Sequence, residues 1–205
     1  MRTLVIECAT EACSVALFDG GEPIAGEYRV LGRGHAEALV PMIGSLPGQG
    51  RADRIAVSLG PGSFTGVRVG LAAARALAFA WQASLIGYPT LALIAAMARD
   101  RRGAVPVTVA MTGGHGEWFV ESFAATGEGS NPLASLLPDR AAQVAEPLAA
   151  GSMAERLVEL RGSGEALLLL PDARCFALLG DASLITAVHP LYGRAPDARV
   201  PDAIG

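Results

Sequence analysis

Over the first 30 positions the apolar residues fall in short β-prone runs separated by turn formers. Thr3 to Cys8 and Cys13 to Phe18 are two such runs, joined by Ala9-Thr10-Glu11-Ala12, and Asp19-Gly20-Gly21 turns the chain into a third, Ile24 to Val30. The pattern predicts an antiparallel three-strand meander. After Gly34 the period changes: Ala38, Val40, Pro41, Met42, Ile43 and Leu46 follow a helical spacing, with Pro41 expected to kink the helix and Pro47-Gly48 to end it. Arg54 to Leu59 is again a short apolar run, bounded by Asp53 and Gly60, and GPGSFTG leads from it into a helical stretch, Val67 to Gln82. A strand over Ser84 to Gly87 and a helix over Thr90 to Arg99 follow, so a meander is succeeded by alternating β and α elements.

The charged cluster Asp100-Arg101-Arg102-Gly103 reads as a boundary, giving an N-terminal lobe over residues 1–100 and a smaller C-terminal α/β lobe over residues 101–205. Beyond it, Val105 to Met111 and Glu117 to Ala125 read as strands around the turn Thr112-Gly113-Gly114-His115-Gly116, and residues 126–138 are rich in turn formers. A helix over Met153 to Leu160, an apolar strand over Ala166 to Leu170 and a helix over Ala173 to Leu179 complete the pattern. Both halves open with strand, turn and strand, Leu4 to Phe18 and Val105 to Phe123, which suggests a weak internal repeat. A duplicated α/β fold with a ligand cleft between its halves follows from it, the second half being trimmed.

A chain of 205 residues, 51% of them apolar, can bury a core without covalent staples. The cysteines, Cys8, Cys13 and Cys175, are odd in number and form no C-x-x-C pair, so neither a disulfide framework nor a thiolate metal site is suggested, and a reducing cytoplasm fits. Glu7 interrupts the N-terminal apolar run too early for a signal peptide, and no stretch approaches the ~18 charge-free residues of a spanning helix. A soluble protein without membrane contact is expected. The net charge of −4 is not the footprint of a protein that binds nucleic acid unaided, so any RNA contact is shared with a partner. Every basic residue is Arg; with no Lys there is no Schiff-base amine, Lys general base or Walker lysine.

Candidate chemistry concentrates in GPGSFTG. Between a strand and a helix, free backbone N–H groups and the helix dipole can hold an anion at Gly60, Gly62, Ser63 and Thr65, with Arg68 one turn into the helix. The same residues equally suit a tight turn at Gly60 and Gly62 with Ser63 or Thr65 capping the helix. The missing G-K-[ST] ending excludes a Walker loop. Gly70, Ala72, Ala73, Ala74, Ala76, Ala78 and Ala80 make the following helix small and smooth, while Val67, Leu71, Phe79 and Trp81 put apolar bulk on several sides. Such a helix is expected to be buried almost all round, in its own core or against another subunit. The histidines His35, His115 and His189 lie too far apart for a local metal motif, and His35 is assigned no catalytic role. Glu7 closes the first strand.

Taken together, ECATEACSVALF, GHAEALVPMI, ADRIAVSLGPGSFTGVRVGLAAARALA and HPLYGR resemble the TsaB (YeaZ) family in order and spacing. The resemblance covers residues 1 to about 100 well and the second half loosely. It implies an actin-like fold (ASKHA, ribonuclease H-like), duplicated, with two lobes and a reduced second lobe. It further implies a non-catalytic platform in the complex that adds threonylcarbamoyl to adenosine in tRNA, pairing with TsaD, with the ATPase TsaE joining the complex. A homodimer is expected in their absence, tRNA contact only through the complex, and no cofactor of its own, with ATP or ADP at a subunit boundary. The pairing helices correspond to residues 35–46 and 64–82, with His35, Leu39, Met42, Val67, Gly70, Leu71, Ala74 and Ala78 as interface candidates. The competing expectation is an active nucleotide-binding actin-like ATPase or phosphotransferase. A metallopeptidase fails on the absent ligand cluster. Three departures from the family pattern stand out: Glu7 in place of Asp, Met111 to Gly116 in place of an Asp-Ala-Arg-like stretch, and Gly193 interrupting a Tyr-Leu-Arg ending. The first argues against ATP chemistry, since Mg²⁺ sites tolerate little displacement of a carboxylate.

Overall fold

Two five-stranded sheets lie on either side of one helix, in a computed structural model that describes residues 1–193. The first sheet contains β1 (Arg2–Glu7), β2 (Ala12–Asp19), β3 (Glu22–Val30), β4 (Arg54–Ser58) and β5 (Ser84–Tyr88), in the order β3-β2-β1-β4-β5. The meander pairs antiparallel, and β4 and β5 add in parallel beyond β1. The continuous apolar run of β1 follows from its central place: Leu4 and Ile6 face one layer of helices, Val5 faces the other, and all three are fully buried.

The outer layer on this sheet is α1 (His35–Ser45) and α2 (Phe64–Trp81). Helix α1 continues through Pro41 to Ser45, and a 3₁₀ turn over Pro47–Gly50 follows. Helix α3 (Thr90–Arg102) occupies the other face, where Val5, Ala16, Phe18, Ala56 and Tyr88 meet it.

The second sheet contains β6 (Val107–Thr112), β7 (Trp118–Phe123), β8 (Gly129–Leu136), β9 (Leu148–Ala150) and β10 (Glu165–Leu167), ordered β8-β7-β6-β9-β10. This is the order of the first sheet with every label advanced by five, and the antiparallel and parallel pairings repeat with it. The repeat suggested by two strand-turn-strand openings is thus a repeat of topology. Val107, Val109, Met111, Phe123, Leu148 and Ala150 press on α3 from this side, and α4 (Pro138–Val144) and α5 (Ala154–Arg161) cover the far face.

Two expectations, on residues 126–138 and on the late elements, need correction. The helix enclosed by the chain's own two sheets is α3, in which every residue from Thr90 to Ala98 is buried, because a sheet packs on each side of it. Helix α2 has a sheet on one side only, and Phe79 on its outer face is 89% exposed. Residues 126–138, read as turn formers, hold the edge strand β8, whose polar sequence Gly129-Ser130-Asn131-Pro132 suits a half-exposed edge and hides the period. The late elements are shorter than predicted: the strand ends at Leu167, and Ala173–Leu178 is a 3₁₀ turn wedged between the sheets, its Ala173 amide donating to Ser14 Oγ at 2.9 Å.

Candidate functional site

The turns that the duplication makes equivalent, between β1 and β2 and between β6 and β7, contribute residues 9–11 and 113–115 to a cleft of about 550 Å³. Ala9, Thr10 and Glu11 come from the first turn, and Gly113, Gly114 and His115 from the second. Gly62, Ser63, Phe64, Val67 and Arg68 bring the glycine loop and the start of α2 to the same space, and Leu191 and Tyr192 close it. The lining carries both signs of charge, at Glu11 and Arg68, beside apolar Met111, Phe64 and Phe119. The Arg68 guanidinium lies 3.5 Å over the Phe64 ring, which holds it along the first turn of α2.

Of the five residues predicted for an anion, Gly62, Ser63 and Arg68 line the cleft, while Gly60 and Thr65 do not. Gly60 turns the chain at φ +84°, and its carbonyl accepts the Thr90 amide at 2.9 Å. The loop packs on the β1–β2 turn. The Ser63 amide donates to the Ala9 carbonyl at 2.7 Å, and the Ser63 side chain caps α2 by accepting from the Gly66 amide at 3.2 Å. A β-carbon on Gly62 would stand 1.9 Å from the Ala9 carbonyl oxygen, and one on Gly66 would stand 2.1 Å from that of Cys8. These glycines therefore serve close backbone approach.

Behind the loop lies Glu7, fully buried and absent from the cleft lining. Its carboxylate accepts the Ala9 amide at 2.8 Å and the Thr90 hydroxyl at 3.5 Å. Burial pushes its pKa up from 4.5 to about 7, against the hydrogen bonds from Ala9, Ser58, Thr90 and Tyr88. A carboxyl held this way joins the end of β1 to the start of α3. Sequence reasoning placed Glu7 at the strand end but had no signal for its burial, which comes from α3 and β5.

The eight interface candidates also move. His35, Leu39, Met42, Val67, Gly70, Leu71, Ala74 and Ala78 are all buried in the chain's own interior, against the outer face of the first sheet. His35 sits with Nε2 3.4 Å from the Ala12 carbonyl. Both stretches are helical as the sequence predicts, and these eight residues lie on the helices' inward faces. Their outward faces carry Ala36, Val40, Pro41 and Gly44 on α1 and Ala72, Ala76, Phe79 and Ala80 on α2. Phe64, Phe119 and Tyr192 were missed at the cleft, because an isolated aromatic in a sequence carries no sign of which cavity it will face. Among the described residues no three His, Cys, Asp or Glu side chains are grouped to hold a metal ion, and no helix is long and apolar enough to cross a membrane.

Comparison with known proteins places this architecture. The family model described as TsaD, tRNA N6-adenosine threonylcarbamoyltransferase, matches residues 29–177. The tRNA threonylcarbamoyladenosine biosynthesis protein TsaB of Escherichia coli is 38% identical over 124 residues, which cover 58% of this chain and 53% of that protein. The chain thus spans about half the length of the curated relatives it matches. A Pseudomonas aeruginosa crystal structure described as similar to peptidase YEAZ superposes with a TM-score of 0.81 at 31% identity, covering 94% of this chain and 99% of that one. The ethanolamine utilization protein EutJ of Carboxydothermus hydrogenoformans shares the fold alone, with a TM-score of 0.50 at 12% identity over 88% of this chain and 90% of that one. Fold and cleft together define a duplicated actin-like α/β protein. Within that class, the chain belongs to the TsaB (YeaZ) family.

Proposed function

We propose that this chain is a non-catalytic platform subunit in the formation of threonylcarbamoyladenosine in tRNA. It pairs with the transferase TsaD through the outward faces of α1 and α2, TsaE joins the assembly, and tRNA is met only through the complex. The observation that carries this reading is Glu7. The carboxyl at the end of β1, where an actin-like ATPase keeps its metal-organising Asp, is withdrawn behind the glycine loop and bound to Ala9 and Thr90. An acid in that place holds two elements together and does not line the cleft.

The outward faces support the pairing. Ala72, Ala76 and Ala80 recur every fourth residue on α2, so a partner helix can approach closely, and Phe79 supplies a large apolar anchor beside them. On this reading the chain has no cofactor of its own, and ATP or ADP is held at a boundary between subunits.

The test is threonylcarbamoyladenosine formation on tRNA by purified TsaC, TsaD and TsaE, with and without this chain. Product that depends on its presence supports the platform; unchanged product without it sinks the proposal. A second reading, a nucleotide-binding ATPase or phosphotransferase, is favoured by one observation: Arg68 and the start of α2 reach the interlobe cleft. Calorimetric binding of MgATP to the isolated chain, abolished by Arg68→Ala, would favour it over the platform.

A further inference from the structure

Cys8 lies just past the end of β1 and Cys13 in β2, and across the intervening turn their sulfurs stand 3.5 Å apart. Both are free and fully buried, and neither lines the cleft. The five-residue interval shows nothing of this in sequence; the antiparallel register, with Glu7 opposite Ser14, carries the next two residues into line.

The two thiols are not equivalent. A shared hydrogen bond lowers the pKa of Cys13 below the usual thiol value, with burial opposing, and raises that of Cys8 well above it, with burial adding. Cys13 is the better nucleophile and Cys8 the proton-bearing partner beside it.

We propose that Cys8 and Cys13 are a modification site, closing to an internal disulfide when the chain meets a small two-electron oxidant of the peroxide class. The Cys13 thiolate attacks one peroxide oxygen, the O–O bond breaks, and the departing hydroxide takes up a proton to leave as water. The resulting sulfenic acid is attacked by the Cys8 sulfur; the S–O bond breaks, and its hydroxide leaves as a second water with the Cys8 proton. Two thiols are oxidised by two electrons and one peroxide is reduced to two waters. The sulfurs must close from 3.5 Å to about 2.05 Å. Peroxide is little larger than water and enters on local opening of the turn, where Glu11 is exposed. The product ties β1 to β2 beneath α2, since Gly70 lies against Cys8.

The experiment treats the folded full chain with hydrogen peroxide, then unfolds it, alkylates free thiols and digests with trypsin. Cys8 and Cys13 fall on one peptide, Thr3 to Arg29, and Cys175 falls on another, half-buried in the fold, where its oxidation to sulfenic or sulfinic acid reports that the oxidant acted. The expected result is a Thr3 to Arg29 peptide lighter by two hydrogens and carrying no alkyl group, from a protein that melts higher than the untreated one. In Cys8→Ser, Cys13 should stop at a sulfenic acid trapped by dimedone. A wild-type peptide still alkylated at both cysteines, after exposure that has oxidised Cys175, overturns the proposal.

Discussion

Gly66 lies so close to Cys8 that a β-carbon on it would stand 2.1 Å from the Cys8 carbonyl oxygen. That contact is backbone against backbone, so no side chain can yield to relieve it. Gly66→Ala is expected to destabilise the fold by about 3 kcal/mol, at the upper end of ordinary overpacking. Gly44→Ala, in the exposed last turn of α1 with nothing within 4 Å of its new methyl group, is expected to stabilise by up to about 0.5 kcal/mol through helix propensity. Urea unfolding of both variants checks the pair. Equal effects would mean that the loop does not rest on the β1–β2 turn as described.

Glu7 should make stability depend on pH in a direction unusual for a carboxylate. Its folded pKa of about 7 exceeds the ordinary 4.5, so the folded state binds the proton more tightly. Its contribution to stability is fully present below about 4.5, is lost as pH rises through 7, and is flat above. Glu121, pushed up to about 7 by burial, adds to the same trend. The discriminating comparison is therefore with Glu7→Gln, which keeps an oxygen acceptor without the charge. At pH 8 the variant should be more stable than wild type by an order of 1–3 kcal/mol, and near parity at pH 5. A difference that does not change between those pH values would refute the assignment.

Partner binding and folding should separate on α2. Phe79 is almost wholly exposed, so Phe79→Asp is expected to shift unfolding by no more than about 0.5 kcal/mol while weakening association with TsaD at least tenfold. Gly70 packs on Cys8 and Val57, so a bulky residue there would disturb the chain's own core before any interface. Calorimetric titration of TsaD with the Phe79 variant is the measurement; unaltered affinity would exclude the outward face of α2.

The same face predicts self-association when no partner is present, because an isologous contact uses one patch twice. Light scattering of the isolated chain should report a dimer that Phe79→Asp dissociates. A strict monomer at high concentration would contradict this.

Much of the first sheet was legible because its signals are local. Short β-prone runs on either side of Asp19-Gly20-Gly21 give the meander, and a strand running through glycines into an alanine-rich stretch gives β4, the loop and α2. The second half was less legible: β8 has little apolar period, and β9 is only three residues long, held in place by β6 and β10.

By itself the sequence determined the order of elements through residue 102, the duplicated plan and the family. Polarity period, turn formers and the GPGSFTG motif each act over a few neighbouring residues. Only the tertiary structure decided which helix is enclosed, which faces of α1 and α2 remain free, where Glu7 points and that Cys8 meets Cys13. Those outcomes depend on surfaces brought together from distant parts of the chain: α3 is enclosed because the second sheet folds back over it, and among the described residues no second sheet covers α2. Burial is a property of such meetings, and a side chain's own polarity does not specify its neighbour.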